Sequence, residues 1–201
     1  MPRRSLHVEP TSPIQIARHY VRELIYGAND GIITTFAVVA GVAGGGLSLR
    51  VVLIIGAANL IADGLSMAVG NYLSIRSHES VLETEDLPEE ETFPARHALA
   101  TFLAFVIAGA VPLIPYIVPG LPGNRFVASI ALTFGAMFVV GALRALIADV
   151  RWWKAGVEML GLGAVVALVA YASGGLVARL VESAGEIHTA RNSTAGRRIP
   201  A

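Results

Sequence analysis

Residues 51–75, VVLIIGAANLIADGLSMAVGNYLSI, form a run apolar enough to cross a bilayer, yet Asn59, Asp63, Ser66 and Met67 lie in its interior. About 20 apolar residues suffice to span the hydrocarbon core. At ~100° per residue, Gly56, Asn59, Asp63, Ser66, Met67 and Gly70 fall within an arc of roughly 100°. Ile54, Ile61, Leu65, Val69 and Tyr72 take the opposite, apolar side. A carboxylate in hydrocarbon is costly, so such a residue faces a bundle interior or a wet cavity and marks an ion path. The thioether one turn from that carboxylate adds a soft ligand, which suits transition metals better than magnesium or calcium. This face reads as half of a metal pathway.

Composition agrees with a membrane protein. The chain is 54% hydrophobic and 15% charged, with 21 glycines and a mean hydropathy of +0.63, far from a soluble globular profile. Fifteen basic residues balance fifteen acidic ones, so nothing points to nucleic acid or to a strongly basic surface. The absence of cysteine excludes disulfides and thiolate metal sites. The opening MPRRSLHVEPTSP has no apolar core and does not read as a cleavable signal peptide. These features predict an all-α, polytopic membrane protein.

The order of elements follows from punctuation. Residues 1–15 read as a disordered segment, and 16–182 as a transmembrane domain opened by an amphipathic lead-in, IARHYVRELIY, at 16–26. Five spans are expected, at about 24–46, 51–75, 97–119, 126–148 and 155–178. The first carries Gly27, Asp30, Thr34, Gly41 and Gly45 on one face, and a Gly-rich turn leads it into the second as an antiparallel hairpin. Residues 76–96 are hydrophilic and acidic. Pro112 and Pro115 predict a kink near the outer end of the third span, and PGLPGN (119–124) reads as a turn. Trp152 and Trp153 read as an interfacial belt. The Ser-, Thr-, Arg- and Gly-containing stretch 183–201 reads as a disordered tail.

Basic residues orient this layout. Arg3, Arg4, Arg18 and Arg22 precede the first span, and Arg151 and Lys154 lie between the fourth and fifth, against only Arg50 and Arg125 in the other two short loops. The positive-inside rule places the N-terminus and the acidic segment in the cytoplasm. Arg179, Arg191, Arg197 and Arg198 near the C-terminus oppose that assignment.

Depth offers a check on the pathway. Asp30 lies roughly 9 Å in from the cytoplasmic end of the first span, and Met67 roughly 12 Å before the end of the second, at 1.5 Å per residue. The two are expected at similar depth on facing helices, with Asp63 one turn further out and Asn59 another. Asp30, Asp63, Met67 and Asn59 are therefore the candidate metal ligands. The competing reading makes Asn, Ser and Thr helix-packing groups and the acids hydrogen-bonding caps at the interface. In the acidic segment, Glu79 and Glu83 stand at i, i+4 beside His78 and are candidates for weak cation capture, or are merely part of a solvated loop. Arg144 and Glu158 lie about four residues from the ends of consecutive antiparallel spans, so an ion pair is expected between them. His7, His19 and His188 fall in mobile or interfacial segments and are not expected to be ligands.

Two stretches carry a family resemblance. YGANDGIITTFAVVAGVAGGG (26–46) and GAANLIADGLSMAVGNYLSIRSHES (56–80) resemble the vacuolar iron transporter family, including its plant nodulin-like and bacterial members. A weaker likeness continues into AGVEMLGLGAVVALVAYASG (155–174). The resemblance implies a five-span protomer working as a homodimer. Its pore would lie between protomers and exchange cytosolic Fe²⁺, and often Mn²⁺, for protons, with Asp30 and Met67 matching the pore aspartate and methionine. Two departures stand out. Asn59 replaces a glutamate found in many members, with Asp63 one turn later in a position to substitute. The cytosolic metal-binding domain of the better-known transporters is reduced to about twenty residues, as in the nodulin-like members. This layout implies residence in a bacterial cytoplasmic membrane.

No nucleophile–base constellation, HExxH motif or phosphate loop occurs, so no enzyme and no resident cofactor are expected; the metal would be cargo. The expected partners are a divalent ion, protons, lipid and a second copy of the chain, without nucleic acid. Divalent ions need deprotonated ligands, so metal binding would release protons and couple the two flows. The rival readings are a membrane scaffold or assembly protein built on close helix packing, and a transporter of another cation on the same framework.

Overall fold

The computed structural model describes residues 5–6, 10–145 and 151–196. Its elements are α1 (Pro13–His19), α2 (Val21–Gly44), α3 (Leu49–Thr84), α4 (Pro94–Gly109), a single 3₁₀ turn at Val111–Leu113, α5 (Ile114–Ile117), α6 (Arg125–Ala145) and α7 (Trp152–Gly196). Among the described residues, five segments are long and apolar enough to cross a membrane: α2, α3, α4 through α5, α6, and the Trp152–Ala184 part of α7. The chain is an all-helical, multi-pass integral membrane protein.

Local chemistry sets the boundaries. Ser12 and Gln15 form a capping box around Pro13 at the start of α1, satisfying end donors before the helix can bond them itself. Gly46, at φ 65°, stops α2, and the Leu47 N–H turns back to the Val42 carbonyl at 3.0 Å. At the end of α3, Asp86 takes a left-handed φ of 56°, a conformation Asp tolerates better than most residues; Leu87 N–H reaches the Leu82 carbonyl at 2.8 Å. The second span therefore extends beyond the residue 75 expected from hydropathy, because Arg76 to Thr84 is a polar but helix-compatible continuation. The third span breaks at its prolines, as expected. Ser129 Oγ on α6 donates to the Pro112 carbonyl at 2.7 Å, giving a partner to backbone in the irregular turn, which lipid could not supply.

Packing departs from a simple hairpin. α2 and α3 are joined by a tight turn, but each packs more extensively against α4 than against the other. Small residues make this possible. A Cβ on Gly27 would stand 2.6 Å from the Thr101 carbonyl oxygen, and one on Gly31 would run into the Phe105 backbone. Gly56 and Gly64 of α3 lie against Leu113 and against Phe102 and Phe105. Gly41, which the sequence placed on the polar face of the first span, and Gly44 approach the backbone of α7 at Gly174 and Tyr171. The core gathers Phe36, Val39, Val42, Val52, Leu60, Phe105, Leu113 and Tyr116.

Two expected terminal features differ or fall outside the description. Ser5 forms an isolated bridge with Glu89, and Leu6 N–H donates to the Glu89 carbonyl at 2.8 Å, so part of the expected disordered segment meets the acidic segment. Residues 1–4 and 7–9, with His7, lie outside the described residues, as do 146–150 at the expected end of the fourth span. The last helix continues to Gly196, past residue 183 where a tail was expected; no proline interrupts the chain there.

Candidate metal pathway

The two candidate aspartates come together. Asp30 of α2 lies close enough to Asp63 of α3 for their charges to interact, and both are half-buried. Asn59 Nδ2 donates to Asp63 Oδ2 at 2.7 Å, one turn away on α3. On α2, Thr34 Oγ1 donates to the Asp30 carbonyl at 2.8 Å, so its hydroxyl is spent on backbone. Two carboxylates whose charges interact repel each other, and a divalent cation bound between them would relieve that repulsion.

Met67 occupies the next turn. It lines a cleft of about 490 Å³ with Arg22, Glu23, Tyr26, Gly70, Asn71 and Ser74. The facing partners of Met67 thus come from the first turns of α2. The sequence expected Asp30 level with Met67 and Asp63 one turn further out; here the charge of Asp30 interacts with that of Asp63, and Arg22, Glu23 and Tyr26 line the cleft beside Met67. Glu23, which the sequence reading passed over, is a wall of this cleft and is 5% exposed. Its signal was its place seven residues, about two turns, before Asp30 on the same face.

The polar arc of α3 is divided by the packing. Gly56, Leu60, Gly64 and Ala68 are buried on the bundle side, Asn59, Asp63, Met67 and Asn71 are half-buried, and Ser66 and Gly70 are exposed in the protomer. Ile54, Ile61, Leu65 and Val69 on the far side are each 46–62% exposed, as a lipid- or partner-facing surface requires.

Glu79 and Glu83 differ in role. Glu79 Oε1 accepts the backbone N–H groups of Glu90 and Glu91 at 3.0 and 2.8 Å and so ties the acidic segment onto α3. Glu83 is exposed, and both residues line a cleft of about 350 Å³ with Glu89 and Glu91. The Arg144–Glu158 ion pair is present, with Nη2 to Oε2 at 3.0 Å.

His19, which the sequence gave no ligand role, lies among ligand-type side chains. The end of α1 brings it beside His97 and Glu91, and the potential ligand atoms of these three lie within 4.8 Å of one another. The separation in sequence hid the group, since it draws on two helix ends and a loop.

Five spans around a half-buried carboxylate pair and an adjoining thioether define a class, the multi-pass membrane proteins that carry polar groups inside the bundle. Within that class the chain belongs to the VIT family, whose sequence profile matches residues 21–93 and 82–175. Similar proteins include a Toxoplasma gondii "Vacuolar iron transporter", 44% identical over 71 residues, which cover 35% of this chain and 24% of that protein. "Vacuolar iron transporter 1" of Eucalyptus grandis is 25% identical over 212 aligned positions, covering 77% of this chain and 85% of its own length. "Vacuolar iron transporter homolog 4" of Arabidopsis thaliana is 34% identical over 107, covering 47% and 52%.

Proposed function

We propose that this chain moves a divalent transition metal, Fe²⁺ or Mn²⁺, out of the cytoplasm in exchange for protons. The observation that carries this reading is a row of half-buried polar groups on two neighbouring spans, Asp30 on α2 and Asn59, Asp63 and Met67 on α3, with Asn59 bonded to Asp63 and Met67 lining the adjoining cleft. Hard carboxylate oxygens and a soft sulfur together suit first-row transition metals. The names of the similar proteins, vacuolar iron transporters, support iron as cargo.

The coupling follows from ligand chemistry. Carboxylates bind the ion only when deprotonated, so loading releases protons and reprotonation favours unloading. Alternating exposure of the pair to the two sides would then exchange metal for protons. The working unit is a homodimer whose α2–α3 faces enclose the pore. The exposure of Ser66 and Gly70 beside the ligand row supports a second copy there. Glu83, Glu85 and Glu89 gather cations at the cytoplasmic mouth, and the N-terminus shares that side, in a bacterial cytoplasmic membrane. Saturable metal uptake by purified protein in liposomes tests the reading, and a scaffold would show none.

A further inference from the structure

A second group of ligand-type side chains gathers at the acidic end, apart from the aspartate pair. His97, in the first turn of α4, sits between two carboxylates. Its Nδ1 is 3.2 Å from Glu23 Oε1, and its Nε2 is 3.1 Å from Glu91 Oε2. His19 Nε2 reaches the same Glu91 oxygen at 3.8 Å. The two imidazoles stand 5.0 Å apart, and Tyr20 packs against both, at 4.8 Å from each ring.

Counting donors defines what belongs between them. A neutral imidazole has one N–H and one lone pair. The Nε2 contact with Glu91 has hydrogen-bond geometry, whereas Nδ1, 3.2 Å from Glu23 Oε1, is buried without an aligned partner, so one neutral ring cannot serve both carboxylates. A cation, either a second ring proton or a metal ion, serves both carboxylates at once, the metal taking Nε2 and Glu91 while the ring N–H turns to Glu23. Two ligand atoms each ~2.1 Å from one ion stand roughly 3.0–3.4 Å apart at octahedral to tetrahedral angles, which brackets the observed 3.1 Å.

The supports are already in place. Glu91 is positioned by the Glu79 carboxylate through its backbone N–H, and His19 by the capped helix α1. A carboxylate on the far nitrogen of a ligating histidine fixes its tautomer and raises its basicity, the relation Glu23 bears to His97. Two imidazoles and one carboxylate suit transition metals such as iron, manganese, cobalt or zinc and disfavour magnesium and calcium.

We propose that His19, Glu91 and His97 form a binding site for one divalent transition-metal ion per chain, with Glu23 as the carboxylate that orients His97. The site stands on this geometry and does not require the transport reading. Glu23 also lines the Met67 cleft, so the site adjoins the mouth of the pathway.

The test is a Co²⁺ titration of the purified full-length protein, followed by visible absorption, in an Asp30→Asn/Asp63→Asn background that empties the deep pair. One Co²⁺ per chain with ligand-field bands is expected. His97→Gln and His19→Gln should each weaken binding at least tenfold, and Glu23→Gln should weaken it by ~10–100-fold while keeping the bands. Glu158→Gln, whose carboxylate pairs with Arg144 outside both groups, should leave Co²⁺ binding unchanged. If His97→Gln fails to fold, His19→Gln, on a more exposed side chain, decides alone. Absence of Co²⁺ bands in the background protein, or unchanged binding in His19→Gln, would overturn the site whether or not the protein transports metal.

Discussion

Asn59 Nδ2 donates to Asp63 Oδ2 at 2.7 Å, so the amide that stands where many relatives were expected to have glutamate serves the neighbouring carboxylate. It holds one oxygen in place and, in the proposed pathway, leaves the other for a cation. Asn59→Leu removes this support without removing charge. The expected result is a KM for metal raised about tenfold or more, the cost of one charge-assisted hydrogen bond, with the maximal rate retained. Initial uptake rates over a range of metal concentration check it.

Close approach of α2 and α4 depends on Gly31. A side-chain carbon there meets the Phe105 backbone, which cannot swing aside, whereas one on Gly70 meets nothing within 4 Å. Gly31→Ala should therefore destabilise by ~1–3 kcal/mol or more, and Gly70→Ala should leave stability unchanged. Thermal unfolding in detergent, read by the loss of soluble protein, distinguishes the two. Impaired dimer formation by Gly70→Ala with normal stability would assign that exposed position to the interface.

The acidic segment separates into structural and solvated charge. Glu79→Ala removes the acceptor for two backbone N–H groups and should open residues 87–92 to limited proteolysis. Glu83→Gln and Glu85→Gln together should leave proteolysis unchanged and raise the KM for metal, sparing the rate at saturation. A complete loss of transport in that double variant would place these acids within the pathway itself.

The Arg144–Glu158 pair joins α6 and α7 at exposed positions. Exposed pairs contribute ~0.2–1 kcal/mol, so Glu158→Gln should shift stability little. A gating role requires more. Normal transport in the charge-swapped Arg144→Glu/Glu158→Arg protein, with impaired single variants, would assign the pair to packing.

Much of this arrangement was legible in the chain, for identifiable reasons. Hydropathy marked the five spans, Pro112 and Pro115 marked the break, and helical periodicity put Asn59 and Asp63 on one face. Periodicity alone could not say which helix that face would meet. Gly27 and Gly31 are simply small residues until α4 is known to lie against them. The relation of His19 to His97 was less accessible still, because a proline-initiated turn of helix and a loop tied down by Glu79 bring them together. Neither repeats along the sequence.

Met67 offers a selectivity test. Met67→Leu keeps volume and apolarity but removes the sulfur lone pair, so it should weaken Fe²⁺ uptake more than uptake of the harder Mn²⁺. Equal losses for both ions would make Met67 a packing residue of the cleft.

The central claim is that the Asp30–Asp63 pair carries metal and protons together. Asp30→Asn preserves size and hydrogen bonding and removes the charge. The decisive measurement records initial metal uptake and lumenal pH in the same proteoliposomes, with unchanged elution of the protein as the folding control. Loss of both metal flux and proton counterflow in Asp30→Asn is the predicted result; metal flux equal to that of the unmodified protein would contradict the account.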